Sequence, residues 1–257
     1  MYEFHSNPNE YFDTQKKHCA SYIIPFIETV YPIPKGCRVL EIGCGSAGVL
    51  AAFLERDCTG AGIDILETSI DVARKKLAPY PDVSLLAKDI YLVDVEQELK
   101  GKFDIILLKD VIEHIHNQEK LIASLKNFLH PGGVVFFGFP PWQMPFGGHQ
   151  QMCRSKLLSR MPYIHLLPMP LYKWLLKRFH EGVEGLAEIK QTGISIERFE
   201  KILKKTTCKI INRQFYFINP IYQYKFGIKC RKQSKLIAAI PYLRNFATTC
   251  VFYLGRF

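Results

Sequence analysis

Three groups of residues have the types and spacing to do chemistry. The first is Gly43-Cys44-Gly45-Ser46-Ala47-Gly48, which follows the apolar run Arg38–Ile42 and leads into the apolar stretch Val49–Leu54. Glycine carries no Cβ, so the backbone can turn tightly and a ligand can approach its N–H groups. A helix that starts just beyond adds unpaired N–H donors and the positive end of a dipole. The second group is Asp110-x-x-Glu113-His114, directly after the apolar run Phe103–Leu108. Residues three and four apart on a helical turn share a face, so these two acids and one imidazole could converge on a cation or a proton. The third is His149 in Pro145-Phe146-Gly147-Gly148-His149. Two glycines suit a backbone bent over a pocket, and the imidazole is suited to act as a general base near neutral pH or as a further metal ligand beside His114.

The elements that must position these groups alternate along the chain. Strands are expected at Arg38–Ile42, Thr59–Ile65, Val83–Ala87, Phe103–Leu108 and Val134–Phe139, separated by helices at Val49–Arg56, Thr68–Leu77 and Asn117–Leu129. Such alternation marks βαβ units and a parallel sheet. The unbroken apolar run Phe103–Leu108 reads as a central strand buried on both faces. Ligands of open α/β sheets sit at the carboxyl ends of the strands, where all three groups fall. Before the first strand, apolar residues at helical spacing from Tyr11 to Val30 suggest a flap helix that Pro25 interrupts. After the fifth strand the alternation breaks into a long Pro-, Gly- and aromatic-rich segment, read as a lid over a pocket. Within it Leu171–Phe179 reads as a short basic amphipathic helix, more simply packed on the sheet than lying in a membrane interface. Ser195 is a plausible N-cap for a helix over Ile196–Lys205. Two late strands, Lys209–Phe217 and Thr249–Leu254, flank a basic helical excursion at Arg231–Phe246. The expected architecture is a Rossmann-like α/β fold with a seven-stranded, mostly parallel sheet and helices on both faces. It divides into a flap (1–35), a cofactor-binding core (36–140), a lid (141–193) and a C-terminal completion (194–257).

Gly43-x-Gly45-x-x-Gly48 also satisfies the dinucleotide fingerprint as written. Glu41 before the loop, Asp64 at the end of the second strand, Asp89-Ile90 after the third and the Lys109–His114 block after the fourth separate the cofactor classes. Together VLEIGCGSAGVL, GIDI, AKDI, FDIILLKDVIEHI and LHPGGVVFFGFP resemble the class I S-adenosylmethionine-dependent methyltransferases, in that family's order and spacing, over about residues 36–140. Phe103–Ile115 and the Pro-Gly-Gly turn look most like the ubiquinone-biosynthesis-type small-molecule O-methyltransferases. The resemblance implies that Glu41, Gly43, Cys44 and Gly45 form the methionine side of the cofactor site. Asp64 would bind the ribose hydroxyls with Ile65 against the adenine, Asp89 and Ile90 would hold the other adenine edge, and Lys109 would lie near the sulfonium. Gly48 is then read as close helix–sheet packing. Some relatives bind a divalent cation through an acid-x-x-Glu-His group. Here the first acid, Asp110, is one methylene shorter than the usual Glu, so a metal-free site is preferred over one built from Asp110, Glu113 and His114.

Composition adds bounds. The 257 residues carry a formal charge of +10, unevenly spread. Residues 1–150 hold 14 Lys and Arg against 19 Asp and Glu, and the remainder hold 20 against 5. A basic second half suits an anionic substrate, a membrane surface or a nucleic acid, or is simply a solvated face. Its basic residues are interleaved with apolar ones and no RNA-binding motif accompanies them, which argues against nucleic acid. The 8 cysteines form no C-x-x-C pair, as expected for reduced thiols in a cytoplasmic protein. The opening Met1-Tyr2-Glu3-Phe4-His5 lacks the charged and apolar regions of a signal peptide, and no apolar run is long enough to span a bilayer. The expected function is methyl transfer to an oxygen, or less readily a nitrogen, of a small-molecule, lipid-linked or glycan-linked acceptor, with His149 and His114 as catalytic candidates. An RNA methyltransferase and a non-catalytic S-adenosylmethionine-binding protein are the alternatives.

Overall fold

The computed structural model describes residues 8–257; the stretch Met1–His5 lies outside it. Five parallel strands form the core: β1 (Arg38–Ile42), β2 (Thr59–Asp64), β3 (Ser84–Ala87), β4 (Phe103–Lys109) and β5 (Leu129–Phe139). Three more follow, β6 (Lys209–Ile218), β7 (Arg231–Lys232) and β8 (Cys250–Arg256). The order across the sheet is β3-β2-β1-β4-β5-β8-β6-β7, with β8 antiparallel to both β5 and β6. The sheet thus has eight strands and not the expected seven. The extra one, β7, pairs only with β6 through Lys232 and Arg231 opposite Tyr216 and Ile218. Two exposed basic residues have no apolar alternation to betray a strand; backbone pairing alone makes one.

Side chains of β4 alternate between two buried layers. Ile105 and Leu107 join a core with α1 (Pro8–His18), α2 (Ile24–Glu28), α3 (Gly48–Leu54) and α4 (Glu67–Lys76). Ile106 and Leu108 join the opposite core with α5 (Gln118–Ser124) and Ile196, Phe199, Ile202 and Leu203 further along. That period of two puts the fully apolar strand at the centre of a two-faced sheet. The expected His130-Pro131-Gly132-Gly133 turn lies inside β5. Pairing with β4 runs from Phe103–Leu129 directly to Ile105–Val134, so the extra residues form a bulge. Pro25 ends no helix. A π-turn at Cys19–Ile23 absorbs the missing amide, and Pro25 sits in the first turn of α2, where no N–H is needed.

The lid contains two helices, α6 (Met169–Arg178) and α7 (Val183–Thr192), the second unforeseen. Tyr172 and Leu176 of α6 do not pack on the sheet. They close a separate small core with Cys153, Leu158, Ile164 and Leu186. The chain then returns through α8 (Ile196–Lys205), α9 (Tyr222–Phe226), α10 (Lys235–Ala238) and α11 (Leu243–Phe246). The single helical excursion expected at Arg231–Phe246 is therefore β7 followed by two short helices. No described helix is long and apolar enough to cross a membrane.

Candidate active site

The glycine loop crosses from β1 to α3 at the carboxyl edge of the sheet. Gly43 and Gly45 have φ of +68° and +53°, and Gly43 lies so close to Val111 that a Cβ would meet Cγ2 at 2.4 Å. A Cβ on Gly45 would meet nothing within 4 Å, so this residue faces open space at the top of the loop. Cys44 is buried beneath it, its amide bonded to the Ile63 carbonyl at 3.0 Å; it shapes the loop from inside. Gly48 does not pack on the sheet as expected. A Cβ there would lie 2.6 Å from the Phe12 carbonyl oxygen and 2.8 Å from Gln15 Cβ, so it admits the flap helix α1 against α3.

Carboxylates hold this loop through backbone amides. Buried Glu41 accepts the Leu50 N–H at 2.8 Å, satisfying a donor in the first turn of α3. Burial raises its carboxyl to about 8, against the pull of that hydrogen bond and of Lys109. Asp64 accepts the Gly45 N–H at 2.8 Å and the Leu66 N–H at 3.0 Å, tying the end of β2 to the loop. Next to it Ile65 is 73% exposed and Leu66 58%, an apolar surface at a strand end that suits an adenine face. Asp89 is exposed, caps the turn Ile90–Leu92 by accepting the Tyr91 N–H at 3.0 Å, and sits beside buried Ile90. The open space at Gly45, the uncovered Ile65 and the acids at the ends of β2 and β3 fit a nucleoside-bearing cofactor.

At the end of β4, Asp110 parts from Glu113 and His114. Lys109 is almost fully buried and ion-paired with Asp110, whose backbone is left-handed at φ +55°. Burial works against the Lys109 ammonium, yet Asp110 more than offsets it and the net shift is upward. The pair is nearly neutral, which makes a buried lysine tolerable there. Asp110 is thus turned to Lys109. The group that can converge is Glu113, His114 and His149, whose candidate ligand atoms all lie within 4.8 Å of one another. The two imidazoles stand edge to face with centroids 5.1 Å apart. Glu113 is buried and, among the described residues, neither carboxyl oxygen has a hydrogen-bond partner. Burial, reinforced by the charge of Asp110, pushes its carboxyl well up. Burial lowers His114 against the opposing charges of Asp110 and Glu188, favouring the neutral ring.

His149 reaches this position because the lid is folded tightly around it. Its backbone is left-handed at φ +53°. Gly148 lies where a Cβ would be 2.2 Å from His165 Cβ. His165 is buried, donates from Nε2 to the Trp142 carbonyl at 2.8 Å, and offers Nδ1 to Gln150 at 3.4 Å. A fourth contribution escaped the sequence reading. Tyr11, Gln15 and His18 follow one another at i, i+4 and i+7 on α1. The charges of Lys109 and Asp110 act on both Tyr11 and His18. Among the described residues, Gln15 Oε1 and both ring nitrogens of His18 are buried without a hydrogen-bond partner. Two polar residues on an otherwise apolar helical face were the available signal.

Strand order and loop define the class. In the dinucleotide-binding fold the sixth strand lies parallel; here an antiparallel β8 is inserted between β5 and β6, which sets the nicotinamide reading aside. The methyltransferase domain family matches residues 13–166, more than half of the chain, and the chain belongs to that family. Its fold is that of the class I S-adenosylmethionine-dependent methyltransferases. Among curated relatives, the ubiquinone biosynthesis O-methyltransferase of Acinetobacter baylyi is 28% identical over 102 residues, covering 40% of this chain and 43% of that protein. The enzyme of the same name from Pseudomonas syringae pv. tomato is 30% identical over 102 residues, covering 40% and 44%. The matched stretch is thus less than half the length of either relative. Among solved structures, the plantazolicin methyltransferase BpumL, in complex with a triazolic desmethylPZN analog and SAH, superposes with a TM-score of 0.59 at 15% identity over 99% of this chain and 90% of that one. An S-adenosylmethionine-dependent methyltransferase from Clostridium acetobutylicum gives 0.56 at 14% identity over 94% and 91%. At such identity the likeness is one of fold.

Proposed function

We propose that this enzyme methylates an oxygen of a small-molecule or lipid- or glycan-linked acceptor, with His149 as the general base and His114 beside it. The observation that carries the reading is the pair of imidazoles over buried Glu113 at the carboxyl end of β4. The bound donor supplies an already activated sulfonium methyl, so the protein must chiefly align the acceptor and exclude water. Glu41, Gly43, Cys44 and Gly45 form the methionine side of the donor site, Asp64 and Ile65 the ribose and one adenine side, and Asp89 and Ile90 the other. The Lys109–Asp110 pair closes the floor beneath the methyl group without adding net charge. His149, presented by the lid, takes the acceptor proton at a ring nitrogen. The curated relatives are O-methyltransferases by name, which supports an oxygen acceptor.

A second reading is favoured by the Glu113 oxygens, which have no partner among the described residues: Glu113, His114 and His149 would hold a divalent cation, which would acidify the acceptor hydroxyl. One experiment orders these readings. His149→Ala is expected to lower kcat at least about 100-fold with a ubiquinone-precursor-like phenol while calorimetric S-adenosylhomocysteine affinity stays unchanged. Near-normal turnover would remove His149 from the chemistry. Loss of wild-type turnover on dialysis against EDTA, restored by Mg²⁺ or Zn²⁺, selects the cation; undiminished turnover selects the free base.

A further inference from the structure

From Lys201 to Phe257 the chain has 12 Lys and Arg and no Asp or Glu. Within this stretch β7, α10 and α11 expose Leu236 (80%), Tyr242 (71%) and Leu243 (54%), with Ile240 and Phe246 also uncovered. Exposed Lys229, Arg231, Lys232 and Lys235 lie alongside in sequence. Single exposed apolar residues are ordinary; five within eleven positions, among cations alone, are not.

The display is braced from within. Tyr242 has φ +64°, a strained backbone for a bulky residue, and its N–H donates to Glu197 Oε1 at 2.8 Å. Arg244, buried, pairs with Glu197 at 2.9 Å and Glu200 at 3.0 Å. Asn245 donates to Glu197 Oε2 at 2.6 Å and accepts the Ile196 N–H at 2.8 Å. The two acids of α8 nearest this segment are therefore engaged in holding it, and its outward charge is basic.

We propose that the α10–α11 segment is a docking face for an anionic lipid bilayer. Aliphatic and aromatic tips that enter the interface, rimmed by lysine and arginine drawn to anionic headgroups, are what such a surface selects. Three of the five tips, Leu236, Ile240 and Leu243, are aliphatic and give nucleic-acid bases nothing to stack on. The face adjoins the lid: Tyr163 donates to the Phe246 carbonyl at 3.4 Å and their rings lie 6.3 Å apart. Docking there brings the lid to the membrane surface, whichever acceptor is methylated.

Sedimentation of the full chain with vesicles tests this. Vesicles of phosphatidylcholine with phosphatidylglycerol should bind at least about tenfold more tightly than phosphatidylcholine alone, and added salt should weaken the binding. The pair Leu236→Ser and Tyr242→Ser, and separately the pair Lys232→Glu and Lys235→Glu, should each weaken it at least about tenfold. Neither pair should alter the melting temperature or S-adenosylhomocysteine affinity. Equal binding to both vesicle types, or unchanged binding by the Ser pair, overturns the proposal. So does a solution dimer lost in the Ser pair without any vesicle binding, or retention by bulk tRNA that anionic vesicles do not compete away.

Discussion

Polar groups at the ends of β1, β2 and β3 are tied to the backbone of the sheet and its loops, whereas the lid's buried polar groups, His165, Gln150 and Glu181, are tied to the lid's own chain. Glu41, Asp64 and Asp89 each accept a main-chain N–H within nine or so residues or one strand away, at Leu50, Gly45 and Tyr91. In the lid, His149 depends on Gly148 fitting against His165, on His165 bonding Trp142 and Gln150, and on the small core around Tyr172. The first arrangement is rigid because the sheet is; the second is only as firm as a core of half a dozen residues. Donor binding and acceptor chemistry should therefore fail separately.

The sharpest separation comes from Asp64→Ala. It strips the Gly45 and Leu66 amides of their acceptor and removes the carboxylate assigned to the ribose. Affinity for S-adenosylhomocysteine should fall about 10- to 100-fold by calorimetry, with lid protection in hydrogen exchange unchanged. If the lid loosens equally, the two regions are one cooperative unit and the comparison breaks.

Acid should open the lid first. Burial depresses His165 to about 4, so the fold holds it neutral while the unfolded ring titrates near 6.5. Protons therefore favour the open lid. The stabilisation is complete above pH 6.5 and is lost as pH falls from there towards 4, with a ceiling of about 3 kcal/mol. Hydrogen exchange at residues 142–166 should speed up across that window while β1 and β4 stay protected. His165→Gln should flatten the dependence; an unchanged slope would assign it to another group.

Legibility in sequence follows the same division. The strands of the parallel core and their acids were readable because hydrophobic runs and the next few residues decide them; β4 and the carboxyl-edge placement of Asp64 and Asp89 are examples. Helix α7, strand β7 and the turning of Asp110 to Lys109 were not, since each depends on what lies opposite in space. Tyr11, Gln15 and His18 were hidden likewise: local pattern shows a helix face, and only the fold brings Tyr11 and His18 within reach of the Lys109 and Asp110 charges. Gly48 was recognised as a packing glycine but assigned to the sheet, because sequence gives no partner for a missing side chain.

Gly48 offers a smaller perturbation that links the regions. In Gly48→Ala the new methyl meets the Phe12 backbone, so α1 must shift from α3. The cost should be roughly 1–3 kcal/mol in urea unfolding. Displacing Tyr11, Gln15 and His18 should also raise the acceptor KM, whereas a purely structural flap would lower stability and leave KM unchanged.

The least effect is expected at the seam where the lid returns to the sheet. Ser195 caps α8 by accepting the Arg198 N–H at 3.1 Å, as its sequence context suggested. Ser195→Ala should cost about 1 kcal/mol. The loss belongs to the sheet side, because Ile196, Phe199 and Leu203 of α8 pack with β4 and β5, while Tyr172 and Leu176 pack only within the lid. Global unfolding should therefore move while exchange at Tyr172 and Leu176 does not. A change confined to the lid would place the boundary between the two regions beyond Ser195, inside α8.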